Sequence, residues 1–130
     1  MLTHRKVLIL DPSPIFRQTL MEVVRKSVEH VEIKEANTAI QARDILRNKA
    51  MDVLFMDIAL PESNGIELIA SIKDILPNII IVVLTSHDTA EYKEASLLSG
   101  ADYFLSKERS GGLRLIDVIH TTLPKQTIAS

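Results

Sequence analysis

Residues Asp52–Gly65 read DVLFMDIALPESNG, and the fold is decided by how this stretch is read. Val53 to Met56 are apolar, and Asp57 follows them as a carboxylate at the mouth of a predicted buried strand. Pro61, Ser63, Asn64 and Gly65 come next, so the strand stops and the chain turns. An ionisable group at the end of an apolar strand is costly unless something uses it. From this stretch alone two readings stand: Asp57 caps the following loop, or it carries chemistry.

The surrounding chain has 130 residues, the size of one domain with a single substantial core. We expect one domain over 1–130, with its core from Lys6 to Leu123 and a tail or linker from Pro124 to Ser130. An apolar fraction of 46% argues for a folded chain. A net charge of −2 gives no basic surface of the kind that binds nucleic acid directly. There is no cysteine, so thiolate chemistry and a disulfide framework are excluded. The apolar run in MLTHRKVLIL is too short for a signal peptide or a membrane span, so the expected location is the cytoplasm.

Before the central stretch, KVLIL (Lys6–Leu10) ends in Asp11 and reads as a strand buried on both faces. Ser13 and Pro14 suit the cap and first position of a helix. Phe16, Leu20, Val23 and Val24 line its inner side, with Arg17, Gln18, Glu22, Arg25 and Lys26 on the other. VEIKEA (Val31–Ala36) alternates and predicts an edge strand with one wet side. Thr38 and Gln41 have capping-box spacing before a helix presenting Ala42, Ile45 and Leu46. After the central stretch, Asn64-Gly65 opens a helix with Ile66, Ile69, Ile72 and Leu76 inward, stopped by Pro77. IIIVVL (Ile79–Leu84) predicts a buried parallel strand ending in Thr85-Ser86. Asp88 and Glu91 again have capping-box spacing, for a helix running to Ser99 and Gly100. Asp102–Leu105 is a last strand ending in Ser106-Lys107, and Ser110–Thr122 a last helix with Leu115, Ile116, Ile119 and Leu123 inward.

Strand then helix, five times, predicts an α/β fold with a parallel sheet covered by helices on both faces. Ligands in such folds bind at the carboxyl ends of the strands. Those ends carry Asp11, Asp57, Thr85-Ser86 and Lys107. Carboxylates suit a hard cation such as Mg²⁺. A hydroxyl and an ammonium suit phosphoryl oxygens, and an aspartate can form an acyl phosphate.

The segments LILD (Leu8–Asp11), MDIALPESNG (Met56–Gly65), LTS (Leu84–Ser86) and GADYFLSK (Gly100–Lys107), in this order and spacing, resemble the receiver domain of response regulators in two-component signalling. The resemblance runs from Lys6 to Leu123. It implies a flavodoxin-like doubly wound sheet of five parallel strands, order 2-1-3-4-5, with five helices in three layers. It implies Asp57 as the phosphoacceptor, Thr85 as the hydroxyl that moves to the phosphoryl group and Lys107 as its ion-pair partner. Thr85 and Phe104 match the family's switch pair; Tyr103 does not. Asp11, Asp57 and the backbone carbonyl of Ala59 would hold Mg²⁺. The implied partners are a sensor histidine kinase or phosphotransfer protein, and an output domain or target. A homodimer through the fourth helix, fifth strand and fifth helix belongs to the same expectation. Such a domain is not an enzyme beyond Mg²⁺-dependent self-phosphorylation and autodephosphorylation.

One departure bears on competence. Receivers usually end the first strand with two acids; here the pair is Asp11-Pro12. Proline has no ligand side chain and no N–H. Two carboxylates remain where three are usual, with Ser13 and Glu62 as candidate replacements, and weaker Mg²⁺ affinity is expected. The alternative function is a degenerate receiver that acts as a phosphorylation-independent interaction module. Glu108 follows the lysine where many receivers have proline, so no cis bond is implied. His4, His30, His87 and His120 read as surface positions. A nucleotide-binding enzyme is disfavoured because Asp11-Pro12-Ser13-Pro14 has no glycine, and an aspartate-based phosphatase because Ala59 replaces its second carboxylate.

Overall fold

A computed structural model of the chain describes residues 4–108 and 111–124. In chain order the elements are β1 (Arg5–Leu10), α1 (Pro14–Ser27), β2 (Val31–Ala36), α2 (Ala39–Asn48), β3 (Val53–Met56), β4 (Ala59–Leu60), β5 (Ser63–Asn64), α3 (Gly65–Ile75), β6 (Ile80–Thr85), α4 (Ala90–Leu98), β7 (Tyr103–Ser106) and α5 (Gly111–Thr122). Five strands form one parallel sheet in the order β2-β1-β3-β6-β7, the flavodoxin-like order expected, with β2 at the edge.

Alternation along the strands splits the core into two layers. Leu8, Leu10, Leu54, Met56, Ile81 and Val83 point to one face, where Ala42 of α2 and Leu68, Ile69 and Ile72 of α3 cover them. Val7, Ile9, Val53, Phe55, Val82 and Leu84 point to the other, under Leu20 and Val24 of α1 and Val118 and Ile119 of α5. Each fully buried Leu, Ile or Phe contributes roughly 1.5–3 kcal/mol, so both layers are needed to hold the strand ends in step.

The helix starts follow from local chemistry. Ser13 Oγ accepts from the Phe16 amide at 3.1 Å, with Pro14 at the first helical position. Thr38 Oγ1 accepts from the Gln41 amide at 3.2 Å, while Gln41 Oε1 reaches back to the Asn37 amide, one residue before the cap. Asn64 Oδ1 accepts from both Ile66 and Glu67 amides. Gly65 is required by close approach: a Cβ there would lie 2.4 Å from the Ile58 carbonyl oxygen.

Several expectations are corrected. α4 is capped by Thr89, which accepts from the Tyr92 amide, and not by Asp88. Asp88 instead accepts from Ser106 Oγ at 2.6 Å, a partner on β7 that local spacing cannot reveal. The last strand begins at Tyr103, because Asp102 turns its carboxylate to the Ile81 amide and Lys73. Val118 is buried in α5, while Ile116 is only half-buried. The small hairpin β4–β5 was not anticipated. It forms because Ala59 pairs with Asn64 and Leu60 with Ser63 across a Pro61-Glu62 corner, where Glu62 takes a φ of 58°. Ser110, expected to open the last helix, and 125–130 of the expected tail lie outside the described residues. No peptide bond is cis among the described residues, as Glu108 after Lys107 implied.

Candidate functional site

The sheet register delivers the reactive groups to one end. Leu10 pairs with Met56 and Met56 with Val83, and the ladder runs one step further, from the Asp57 amide to the Leu10 carbonyl at 3.0 Å. The Asp11 amide donates to Ala36 and the Lys107 amide to Thr85 in the same way. Backbone bonds thus fix all four residues before their side chains meet.

Asp57 is buried, and its carboxylate accepts from three donors. Oδ1 accepts from Thr85 Oγ1 at 2.6 Å and from the Ala59 amide at 2.9 Å; Oδ2 accepts from Lys107 Nζ at 2.9 Å. Thr85 is fully buried, and its Oγ1 also accepts from the His87 amide at 3.1 Å. Lys107 Nζ lies 2.7 Å from Asp11 Oδ2, so one ammonium bridges both carboxylates. It also sits 4.1 Å above the centre of the Phe16 ring. Burial works against the charge on Lys107. The hydrogen bonds that Lys107 donates to Asp11 and Asp57, with the charges of those carboxylates, outweigh it and hold the pKa above the ordinary lysine value.

Asp11 is held from three sides. Its Oδ1 accepts from the Ser13 amide at 2.8 Å, its Oδ2 faces Lys107, and its backbone carbonyl accepts from Arg17 Nη1 at 2.6 Å. Arg17 was placed on the outer side of α1. Its side chain is only 15% exposed, and Nε pairs with Glu35 at 3.0 Å. Position on the helical wheel could not show this, because Glu35 and the Asp11 carbonyl come from other segments. Phe16 was read as core; its second role under Lys107 has no signal in spacing.

Neither replacement for the missing acid is positioned for the task. Ser13 Oγ is engaged as the α1 cap, and Glu62 is exposed at the hairpin corner. No group of three or more His, Cys, Asp or Glu able to hold a metal occurs among the described residues. The donor set is therefore the two buried carboxylates of Asp11 and Asp57, which meet at Lys107 Nζ; so few protein ligands suit a hard ion that keeps several waters. Phe104 is buried on β7 beside Val83 of β6, while Tyr103 faces the other layer. His4, His30, His87 and His120 are exposed, as expected.

A model of the response regulator receiver domain matches residues 7–119, and the chain belongs to that family. Receiver domains are signalling domains that work with histidine kinases and output domains and generally bind Mg²⁺. Over 101 residues the chain is 34% identical to a protein-glutamate methylesterase/protein-glutamine glutaminase of Vibrio vulnificus, covering 76% of this chain and 29% of that protein. The chain spans half or less of the length of the curated relatives it matches. Among solved structures, a CheY-like receiver domain of Methanospirillum hungatei superposes with a TM-score of 0.83 at 22% identity, covering 93% of this chain and 94% of that one. A Burkholderia pseudomallei response regulator, solved with a phosphorylated aspartic acid, a calcium ion and citrate, matches with a TM-score of 0.77 at 23% identity, over 95% of this chain and 67% of that one. At these identities the two structures establish the fold. No described helix is long and apolar enough to cross a membrane.

Proposed function

We propose that this domain is a phosphorylation switch in which Asp57 accepts a phosphoryl group from a histidine kinase or phosphotransfer protein. The carrying observation is the hydrogen-bonded set of Asp57, Thr85 and Lys107 at 2.6 and 2.9 Å, tied through Lys107 to Asp11. An Asp57 carboxylate oxygen attacks phosphorus, the P–N bond of phosphohistidine breaks with its electron pair going to imidazole, and an acyl phosphate forms. Lys107 supplies an ammonium, and Thr85 an O–H, to the phosphoryl oxygens that arrive beside Asp57. Mg²⁺, held by Asp11, Asp57 and the Ala59 carbonyl, would neutralise charge on the transferring group. The exposed Ala59 side chain is small and leaves water access for autodephosphorylation.

Movement of Thr85 towards the phosphoryl group is read out through Phe104 on the neighbouring strand. The output face is formed by α4, β7 and α5, where Tyr92, Leu97 and Leu98 are exposed. That face binds an output domain, a target or a second copy. The domain spans 1–130 with its core at 6–123, acts in the cytoplasm, and makes no direct contact with nucleic acid. The Burkholderia protein, with its phosphorylated aspartic acid, supports the reading by analogy.

Pro12 favours a second reading. With two carboxylates already bridged by Lys107, half of the pocket's negative charge is offset without metal, and the domain then serves as a phosphorylation-independent interaction module. The two separate on incubation with acetyl phosphate and millimolar Mg²⁺, read by intact mass. The switch predicts one added phosphoryl group on the wild type and none on Asp57→Asn. An unmodified wild type supports the module.

A further inference from the structure

The end of the sheet opposite Asp57 has a different chemistry. There the α1–β2 connection turns at His30, which takes a φ of 56° and accepts from the Arg5 amide at 2.8 Å. A cleft of about 480 Å³ opens between the C-terminal ends of α1 and α5, within the size range of small-molecule sites. Arg5, Arg25 and Lys26 line it with His30 and His120, against a single carboxylate, Glu29. Val28, Leu123 and Pro124 add an apolar wall.

Three cations gather in this cleft with no carboxylate among the described residues bound to any of them. Lys107 has two carboxylates, and Arg17, Lys49 and Lys73 have one each. Among the described residues, Arg5, Arg25 and Lys26 enter no ion pair. Arg5 Nε is moreover buried with no hydrogen-bond partner among the described residues. A buried donor left unmade is costly, and a charged one more so. The chain as a whole is acidic, with a net charge of −2, so this gathering of cations is local.

We propose that the cleft binds a small phosphate-bearing anion, held by the Arg5 and Arg25 guanidiniums and Lys26, with the body of the ligand against Val28 and Leu123. Guanidiniums meet phosphate oxygens in a two-pronged geometry, and a lysine adds a point charge. A doubly charged phosphate answers three cations set against one carboxylate. The site is separate from the Asp57 pocket, so binding here does not depend on phosphotransfer there.

The test is a titration of the ¹⁵N-labelled chain with pyrophosphate in the absence of Mg²⁺, followed by amide shifts. Saturable shifts are expected at Arg5, at Ser27 to His30 and at Leu123. The pair Arg25→Gln/Lys26→Gln, on the exposed end of α1, weakens binding by at least about tenfold, equivalent to 1.4 kcal/mol. Arg43→Gln/Arg47→Gln, removing the same charge from α2, leaves it unchanged, as does Asp57→Asn. Arg5→Gln weakens binding too, its spectrum reporting whether it remains folded. Shifts that do not saturate, shifts confined to the residues around Asp57 and Lys107, or full affinity in Arg25→Gln/Lys26→Gln would each overturn the proposal. Citrate binding as tightly as pyrophosphate would overturn the assignment to phosphate.

Discussion

On the β6–β7 side of the pocket, Asp57, Thr85 and Lys107 are joined by hydrogen bonds of 2.6 and 2.9 Å. On the β1–α1 side, Asp11 is followed by Pro12 and not by a second acid. On the first side every member is satisfied by another. The second offers one carboxylate, tied down by the Ser13 amide, Arg17 and the far reach of Lys107. Lys107 is thus the element common to both. A pocket with one acid fewer can keep its shape when a fixed ammonium bridges the two acids that remain and offsets half their charge.

Breaking the shared element has the largest effect. Lys107→Met leaves Asp11 and Asp57 buried without a cation, and stability should fall by about 3 kcal/mol, read from denaturant midpoints. Phosphoryl uptake should fall with it. Gly65→Ala attacks the loop after Asp57: a Cβ 2.4 Å from Ile58 O forces the hairpin and α3 apart. A loss of about 2–3 kcal/mol is expected in the same measurement.

Pro12→Asp sharpens the contrast by restoring an acid on the depleted side. Without Mg²⁺ a third carboxylate should cost on the order of 1 kcal/mol. With Mg²⁺ the variant should gain more thermal stability than the wild type does, through tighter binding to the folded state. Equal gains in both would mean that Pro12 does not limit the cation.

The smallest effect is one of pH. Because the Lys107 pKa is raised in the folded state, its contribution is fully present below the ordinary value of 10.5 and is lost as pH rises through the folded value. The stability gap between wild type and Lys107→Met should stay level from neutral pH up to that point and narrow above it. A gap that narrows towards neutral pH would contradict the assignment.

Much of this was legible beforehand. The apolar runs ending in Asp11, Asp57, Thr85 and Lys107 announce strands whose ends meet, since periodicity and strand order act over short spans. What local spacing could not reveal lies in bonds across the chain. Asp88 has capping spacing with Glu91, yet Ser106, distant in sequence, takes its carboxylate. Arg17 has an outward position on α1, yet the Asp11 carbonyl and Glu35 draw it inward. The β4–β5 hairpin rests on Glu62 adopting a positive φ, which no residue of its type signals. The absence of a second acid at Pro12 was plain, whereas the bridging of both remaining acids by Lys107 needed the fold.

The central claim is that Asp57 takes the phosphoryl group in spite of Pro12. It is tested most directly by treating the chain with acetyl phosphate and Mg²⁺, reducing with borohydride, and mapping the peptides by mass spectrometry. An acyl phosphate at Asp57 is reduced to the alcohol, so homoserine should appear at position 57 and nowhere else. Its absence there, or its appearance at Asp11, would contradict the account.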